Sequence, residues 1–439
     1  MEQLLMIYPS LSLSGPGKAA PATAVLPSVA AVVAPYGTGT HYADEFANRG
    51  WQCVAVTPAD DALPSLYRGT LDPAAYRQVV FHDNLEATAT ALRILRVTAV
   101  VAGTEIGVPL AEQLAHELRL PGNAPATSSR RRDKGAMARA LAEAGVAGPR
   151  SLSTERLQEA LSWAASLDTT HVVLKPADSA GSDGVAFCSN PDEIRTAWNR
   201  LHHVQNAMGG SNTHLVIQER LSGSQYVVNS VSAAGPGGTA SHSLTEFWSD
   251  RRIGTHVYDR LDLMNRQGML PRLLSRYTLR VLDALGIVNG PAHTEVMLVP
   301  GRGPLLIESG ARPEGSYDPA AMREATGSDH IRDAVHAVVT GTPDRRAADR
   351  PHPFVTKVSL CAHRDGALDE ELLRAVLTLP TVRGYVGTLV PGIQVRRTVD
   401  LLTSPGRLLL AADDPCAIEE DYRAIRSMEA SGLYGWEAR

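Results

Sequence analysis

The chain has 439 residues, enough for two or three domains around a large buried core. Hydrophobic residues make up 44% and charged residues 20%, as in an ordinary globular protein, and a formal charge of −5 excludes a global basic field for nucleic acid. No apolar run reaches the roughly 20 residues of a membrane span, and four scattered cysteines without a CxxC argue against a zinc or disulfide framework and fit a reducing, cytoplasmic setting.

At the N-terminus, Met1 to Leu5 lacks the positive start of a secretory signal, and Pro9 interrupts the apolar stretch. Residues 10–28, rich in Ser, Gly, Pro and Ala, read as a loop or irregular arm. Residues 29–34 are a short apolar run and predict a buried strand. A turn at 35–40, a helix at 41–49 stopped by Gly50 and a strand at 51–57 follow. Strands at 78–82 and 98–102, with helices from about residues 85 and 106, continue a βαβ rhythm. The first 120 or so residues therefore predict a parallel-sheet domain. Gly37 and Gly39 do not complete a GxGxxG, because Tyr42 stands at the third glycine position. That turn reads as one that lets a ligand approach the backbone. Gly103-Thr104-Glu105 follows a strand end, where open α/β sheets bind ligands; an ordinary helix cap is an equal reading.

The basic run Arg130-Arg131-Arg132 reads as a solvated loop. Beyond it, residues 134–144 predict an Ala-rich helix ended by Gly145. Strands are expected at 171–175, 185–188, 214–219 and 225–233, with a helix at 192–203 and a long amphipathic helix at 270–285. Residues 341–353 carry little apolar content and mark a boundary, followed by a small α+β domain. The fold class is α/β, and α+β in part.

Three segments carry chemistry. In the first, residues 290–299 and 304–312 flank Pro300-Gly301-Arg302-Gly303, which predicts an antiparallel hairpin. A four-residue turn at 300–303 sets Val299 against Pro304, Met297 against Leu306 and Glu295 against Glu308. Opposed carboxylates about 5 Å apart repel each other, and a divalent cation removes that cost. Glu308, Gly310 and Arg312 share a face, so Arg312 can hold a phosphate or a developing oxyanion. Two exposed glutamates and a surface arginine form the competing reading.

In the second, a strand delivers Lys175 beside the small-residue loop Ser179 to Gly184, which suits a phosphate held by a point charge and by backbone N–H groups. It is not a Walker A loop. A purely structural glycine turn is the rival. In the third, the strand through Gln218 and Glu219 ends in a polar hinge and a turn, whose free backbone groups can pair with a purine edge.

In this order, the three segments resemble an ATP-grasp enzyme. The stretch from Lys175 to Val185, with His293-Thr294-Glu295 and Ile307 to Arg312, is most similar to the L-amino-acid ligase branch, and residues 245–252 with Trp248 and two arginines resemble it too. The resemblance covers about residues 30–345. It implies a Rossmann-like N-terminal domain at 1–125, an ATP-grasp domain at 126–345 with a mobile lid at about 134–220, and a C-terminal α+β domain at 346–439. Lys134 and Lys175 would contact ATP phosphates under a loop holding Ser179, Ser182 and Gly184. Gln218, Glu219 and the backbone of Leu221 would hold adenine, and Gln225 stands where many members use a glutamate for the ribose. Glu295 and Glu308 would bind magnesium, with manganese as a substitute ion, and Gly310 replaces an asparagine ligand found in many members. Arg312 would steady an acyl phosphate and the tetrahedral intermediate.

The implied activity joins a small carboxylate to an amine with release of ADP and phosphate. His293 and His256 are candidates for the amine's proton, with satisfied structural histidines as the alternative, and Trp248 and Gly310 are candidates for substrate contact. Phosphorylation of a small molecule and a non-catalytic nucleotide-binding module are the rival functions. A symmetric homodimer is the default assembly, without nucleic acid or membrane partners.

Overall fold

The computed structural model describes residues 27–58, 63–64, 67–169, 171–235, 239–254, 257–344 and 352–435. The arm expected at residues 10–28 lies almost wholly outside them, as does His256.

Four strands, β1 (Val29–Val33), β2 (Gln52–Thr57), β3 (Gln78–Phe81) and β4 (Val97–Ala102), form a parallel sheet in the order β3-β2-β1-β4. Every residue of β1 is buried because both faces of the sheet are covered. Ala31 and Val33 share a core with Leu92 and Leu114 of the helices Leu85–Ile94 and Val108–Glu117. Ala30 and Val32 share another with Ile331 and Val335 of the helix His330–Thr340, which arrives from 300 or so residues along the chain. This alternation follows from the period of two along a strand.

The glycine turn after β1 serves the fold's own backbone. A Cβ on Gly39 would stand 2.4 Å from the Gly103 carbonyl oxygen, and one on Gly103 would stand 2.5 Å from that of Ala34. The close approach expected of a ligand at this turn is instead made by the chain itself, between the ends of β1 and β4.

A second sheet is antiparallel and contains β5 (Ser151–Thr154), β6 (Val172–Pro176), β7 (Ala186–Cys188) and β8 (Leu215–Glu219), in the order β5-β8-β6-β7. Leu161, Ile194, Trp198 and Leu201 from its two helices close its core.

The third sheet has eight strands. In chain order they are β9 (Ser224–Ala234), β10 (Ala240–Ile253), β11 (Val257–Leu263), β12 (Gly290–Val299), β13 (Gly303–Gly310) and β14 (Phe354–Ser359), then Val382–Gly387 and Gly406–Ala412. β13 and β12 lie at one edge, followed by β9, β10, β11, β14, Gly406–Ala412 and Val382–Gly387. Strands from both sides of the apolar-poor stretch around residue 345 thus share one sheet, through the pairing of β11 with β14. The amphipathic helix Met269–Leu285 packs Leu274, Val281, Leu282 and Leu285 against Val228, Val296 and Leu306 of this sheet. Gly286 ends it in the left-handed conformation, φ 67°.

The hairpin β12–β13 turns one residue earlier than expected. Val299 pairs with Gly303 and Met297 with Leu305, so the loop is three residues, with Gly301 at φ 74°. A β-bulge at Ile307 then adds one residue to β13 and restores Glu295 opposite Glu308. The shorter turn and the bulge cancel, and the predicted carboxylate pair survives a wrong register at the tip.

The basic run at 130–132 is not a solvated loop. Arg131 is completely buried; Nε and Nη2 reach the Glu112 carboxylate at 2.5 and 2.9 Å, and Nη1 donates to the Leu285 carbonyl at 2.8 Å. Two hydrogen bonds to one carboxylate use the planar fork that lysine lacks. Among the described residues, no helix is long and apolar enough to cross a membrane.

Candidate active site

A cavity of about 730 Å³ opens between the four-stranded antiparallel sheet and the eight-stranded sheet. Val173, Lys175 and Phe187 line it from one side; Gln225, Asp250, Arg252, Tyr258, Glu295, Met297, Ile307 and Glu308 line it from the other. The loop Ser179 to Asp183 closes one end.

The loop's shape follows from its sequence. Gly181, Ser182 and Gly184 all have left-handed backbone angles, φ 68°, 66° and 67°. A Cβ on Gly184 would also stand 2.9 Å from the Pro176 side chain. Asp183 pins the loop by accepting from Ser179 Oγ at 2.7 Å and from the Ala207 amide at 2.9 Å. Ser179 and Ser182 line the cavity, whereas Gly184 does not.

Lys134 begins the helix Lys134–Glu143, where Asp133 caps the first turn by accepting from the Ala136 amide at 2.6 Å. Its Nζ donates to the Ser179 carbonyl at 2.7 Å and lies 3.3 Å from Glu308 Oε2. Lys175 is buried on β6. Burial and the charge of Lys134 pull its pKa down to about 8, against the opposing pull of Glu308 and Glu295.

Glu295 and Glu308 both face the cavity. Gln225 donates to Glu295 at 2.8 Å, and Arg252 and His293 approach that carboxylate at 3.7 and 3.8 Å. Burial works against ionisation of Glu295, but His293 and Arg252 hold it at about 2. Among the described residues no three acidic, His or Cys side chains gather as a metal cluster. Two carboxylates opposite each other, beside two lysines able to meet phosphate, fit magnesium, which takes one or two protein carboxylates and completes its shell with phosphate oxygens and water.

Arg312 does not line the cavity. Its Nε donates to Glu105 Oε2 at 2.6 Å, joining the hairpin end to the loop after β4. Arg132 lies 3.0 Å from the other Glu105 oxygen. Burial alone would raise the Glu105 carboxyl; Arg312 and Arg132 bring it down to about 2. A Cβ on Gly310 would stand 2.9 Å from Glu105 Oε2. The glycine that stands where the resemblance leads one to expect an asparagine therefore makes room for a carboxylate from the N-terminal sheet.

Other predicted residues fall elsewhere. Gln218 and Glu219 lie within β8, away from the cavity wall, and the Glu219 carboxylate is held by Arg302 at 2.9 Å and by Arg150 at 3.1 Å. Leu221 and Gln225 do face the cavity. Trp248, expected at the substrate, is fully buried in the core with Met322, Val355 and Leu409, and its indole donates to Glu246 at 2.9 Å. A large apolar side chain on the inner face of a central strand packs before it binds. His293 is anchored by Asn229 at 2.8 Å and points its other nitrogen at Glu295.

The sequence pointed to the stretch from Trp248 to Tyr258 as pocket lining but gave no individual role to Asp250 or Tyr258, nor to the apolar wall of Phe187 and Met297. It saw Glu105 only as part of a strand-end triplet. The alternation of Asp250 and Arg252 along β10, both inward, was a usable signal once that strand is recognised.

No protein-family model matches the chain. It is 29% identical over 414 residues to dapdiamide A synthase of Enterobacter agglomerans, an alignment covering 92% of this chain and 96% of that protein. Its fold superposes on the L-amino acid ligase of Bacillus licheniformis with a TM-score of 0.71 at 17% identity, covering 91% and 97% of the two chains. It also superposes on the ADP complex of N5-carboxyaminoimidazole ribonucleotide synthetase, with a TM-score of 0.68 at 12% identity and coverage of 92% and 97%. The chain is thus similar in sequence to dapdiamide A synthase along nearly its whole length, and it shares its overall fold with these two solved enzymes.

Proposed function

We propose that the chain forms an amide bond between an amino acid and an amine, or a second amino acid, through an acyl phosphate made from ATP. The observation that carries this reading is the meeting, around one cavity, of Lys134, Lys175, Glu295 and Glu308, with the Glu105–Arg312 pair beside them at the N-terminal sheet.

A carboxylate is a poor electrophile at neutral pH. Its oxygen attacks the γ-phosphorus of ATP, the bond to the β-phosphate oxygen breaks, and ADP leaves. The amine nitrogen then attacks the acyl carbon, phosphate leaves, and the amine loses a proton. The first step asks for positioning and charge neutralisation more than for a protein nucleophile. Lys134 and Lys175 meet the phosphates, and the loop from Ser179 to Gly184 covers them. The adenine sits against Phe187, Leu221 and Met297, with Gln218 and Glu219 shaping the hinge beneath it. Gln225 reaches the ribose. Glu295 and Glu308 would hold magnesium, which would offset the charge of the phosphates. Arg312 is fixed by Glu105, so its guanidinium is oriented before a substrate anion arrives. His293, held by Asn229, orients Glu295.

The relative named dapdiamide A synthase matches along nearly the whole chain, and the L-amino acid ligase is similar in fold over 91% of it. Both support the amide-forming reading over simple phosphorylation. Protein, ATP, magnesium and pairs drawn from an amino-acid panel should release phosphate only when carboxylate and amine are both present. The product mass should equal the two substrates less one water. Phosphate release indifferent to the amine, or a product heavier by one phosphoryl group, overturns the proposal.

A further inference from the structure

Each carboxylate of the proposed metal pair already has a cation beside it. Lys134 stands 3.3 Å from Glu308, and Arg252 Nη2 stands 3.7 Å from Glu295 Oε2. The two cations are held differently. Lys134 is also tied to the Ser179 carbonyl of the phosphate-covering loop. Arg252 is gripped from behind, its Nε 3.1 and 3.0 Å from the two Asp250 oxygens and its Nη2 2.6 Å from Oδ2. Its guanidinium carbon lies 3.3 Å from the centre of the Tyr258 ring. The arginine is thus anchored by Asp250 and Tyr258, while its distance to Glu295 exceeds a hydrogen bond. It is a charge contact that can be given up without unfastening the side chain.

We infer that Arg252 is a resident counter-charge on Glu295 that competes with the divalent cation and yields to it only when an anion arrives to take the guanidinium. This rests on the reading of Glu295 and Glu308 as the metal carboxylates. Two positive centres cannot share one half-buried carboxylate cheaply, because charge interactions in a partly dry cavity are several times stronger than in water. A bare divalent cation therefore meets repulsion from Arg252. A cation accompanied by nucleotide phosphates brings the negative charge that draws Arg252 off Glu295. The arrangement makes the site poor for free metal and good for the metal–nucleotide complex. Arg252 acts as a positioning residue, and it binds the transferred phosphate region only after its release from Glu295.

The test reads metal binding without turnover. Manganese, whose free ion is counted by electron paramagnetic resonance, is titrated into the protein with and without ADP. Arg252→Gln should tighten nucleotide-free manganese binding by about tenfold, and this gain should shrink or reverse with ADP present. Arg252→Lys should stay near the parent protein. The double variant Asp250→Asn/Arg252→Gln should keep the gain, which separates loss of the cation from exposure of the Asp250 carboxylate. Damage to the fold would weaken metal binding, never tighten it. Unchanged or weaker manganese binding in Arg252→Gln overturns the inference. If Glu295→Gln binds manganese as well as the parent does, the metal-site reading itself fails, and the two failures are told apart.

Discussion

The Glu105–Arg312–Arg132 cluster supports a prediction whose size follows from its burial. The Glu105 carboxyl titrates near 2 in the folded chain, against an ordinary value of 4.5, because two arginines outweigh its desolvation. A folded-state pKa depressed in this way stabilises the protein above the unfolded value and is lost as pH falls through the folded one. The gap corresponds to about 3 kcal/mol at pH 7. By the same linkage it shrinks to about 1 kcal/mol at pH 3 and falls further at pH 2. Glu105→Gln mimics the protonated side chain with little change in shape. Urea unfolding of parent and variant at pH 7 and pH 3 isolates the effect, since every other carboxylate titrates in both proteins. The variant should lose about 3 kcal/mol at pH 7 and converge on the parent as pH falls. An equal stability difference at both pH values would refute the electrostatic account, leaving a packing defect as the cause.

Further outcomes follow from the same geometry. Glu308→Gln should lower kcat by at least about 100-fold with the fold intact by circular dichroism, since it removes one of the two opposed carboxylates. Turnover near the parent value would show that the metal assignment is wrong. ADP affinity should fall as pH rises through about 8, the pKa of Lys175, because the lysine is charged below that value and neutral above it; a flat calorimetric profile from pH 6.5 to 9.5 would remove Lys175 from the phosphate site. Gly310→Ala should push a methyl group against Glu105 and raise the KM for the carboxylate substrate several-fold. An unchanged KM would detach Glu105 from substrate positioning. Lys357→Met should cost about 3–5 kcal/mol, because Lys357 Nζ lies 2.8 Å from both oxygens of buried Glu314 and its loss leaves that charge unpaired. Thermal melting would reveal a smaller loss if Arg407, 4.0 Å away, takes over the charge.

Local pattern was enough for the parallel N-terminal sheet, the lysine-bearing strand before a glycine loop, and the two-strand hairpin. Each depends on a periodicity or a turn chemistry spanning fewer than about 30 residues. The pairing of Glu295 with Glu308 was legible for the same reason, although the tip register was not. Val296 and Leu306, the paired residues beside the bulge, share a core with the helix Met269–Leu285, a tertiary contact that strand alternation does not encode. The burial of Trp248 was hidden likewise, because β10 becomes a central strand only once β9 and β11 flank it.

What the sequence by itself determined was the inventory: two lysines, two opposed carboxylates, an arginine just beyond the second of them, and a glycine where an asparagine was expected. Only the tertiary structure decided what those residues meet. Glu105 joins Arg312 across 207 positions, Arg131 disappears beneath Glu112, and Arg252 stands against Glu295. An isolated segment fixes its own backbone and which side chains share a face. Charges distant in sequence acquire partners only when separate sheets and loops are packed together and water leaves the space between them.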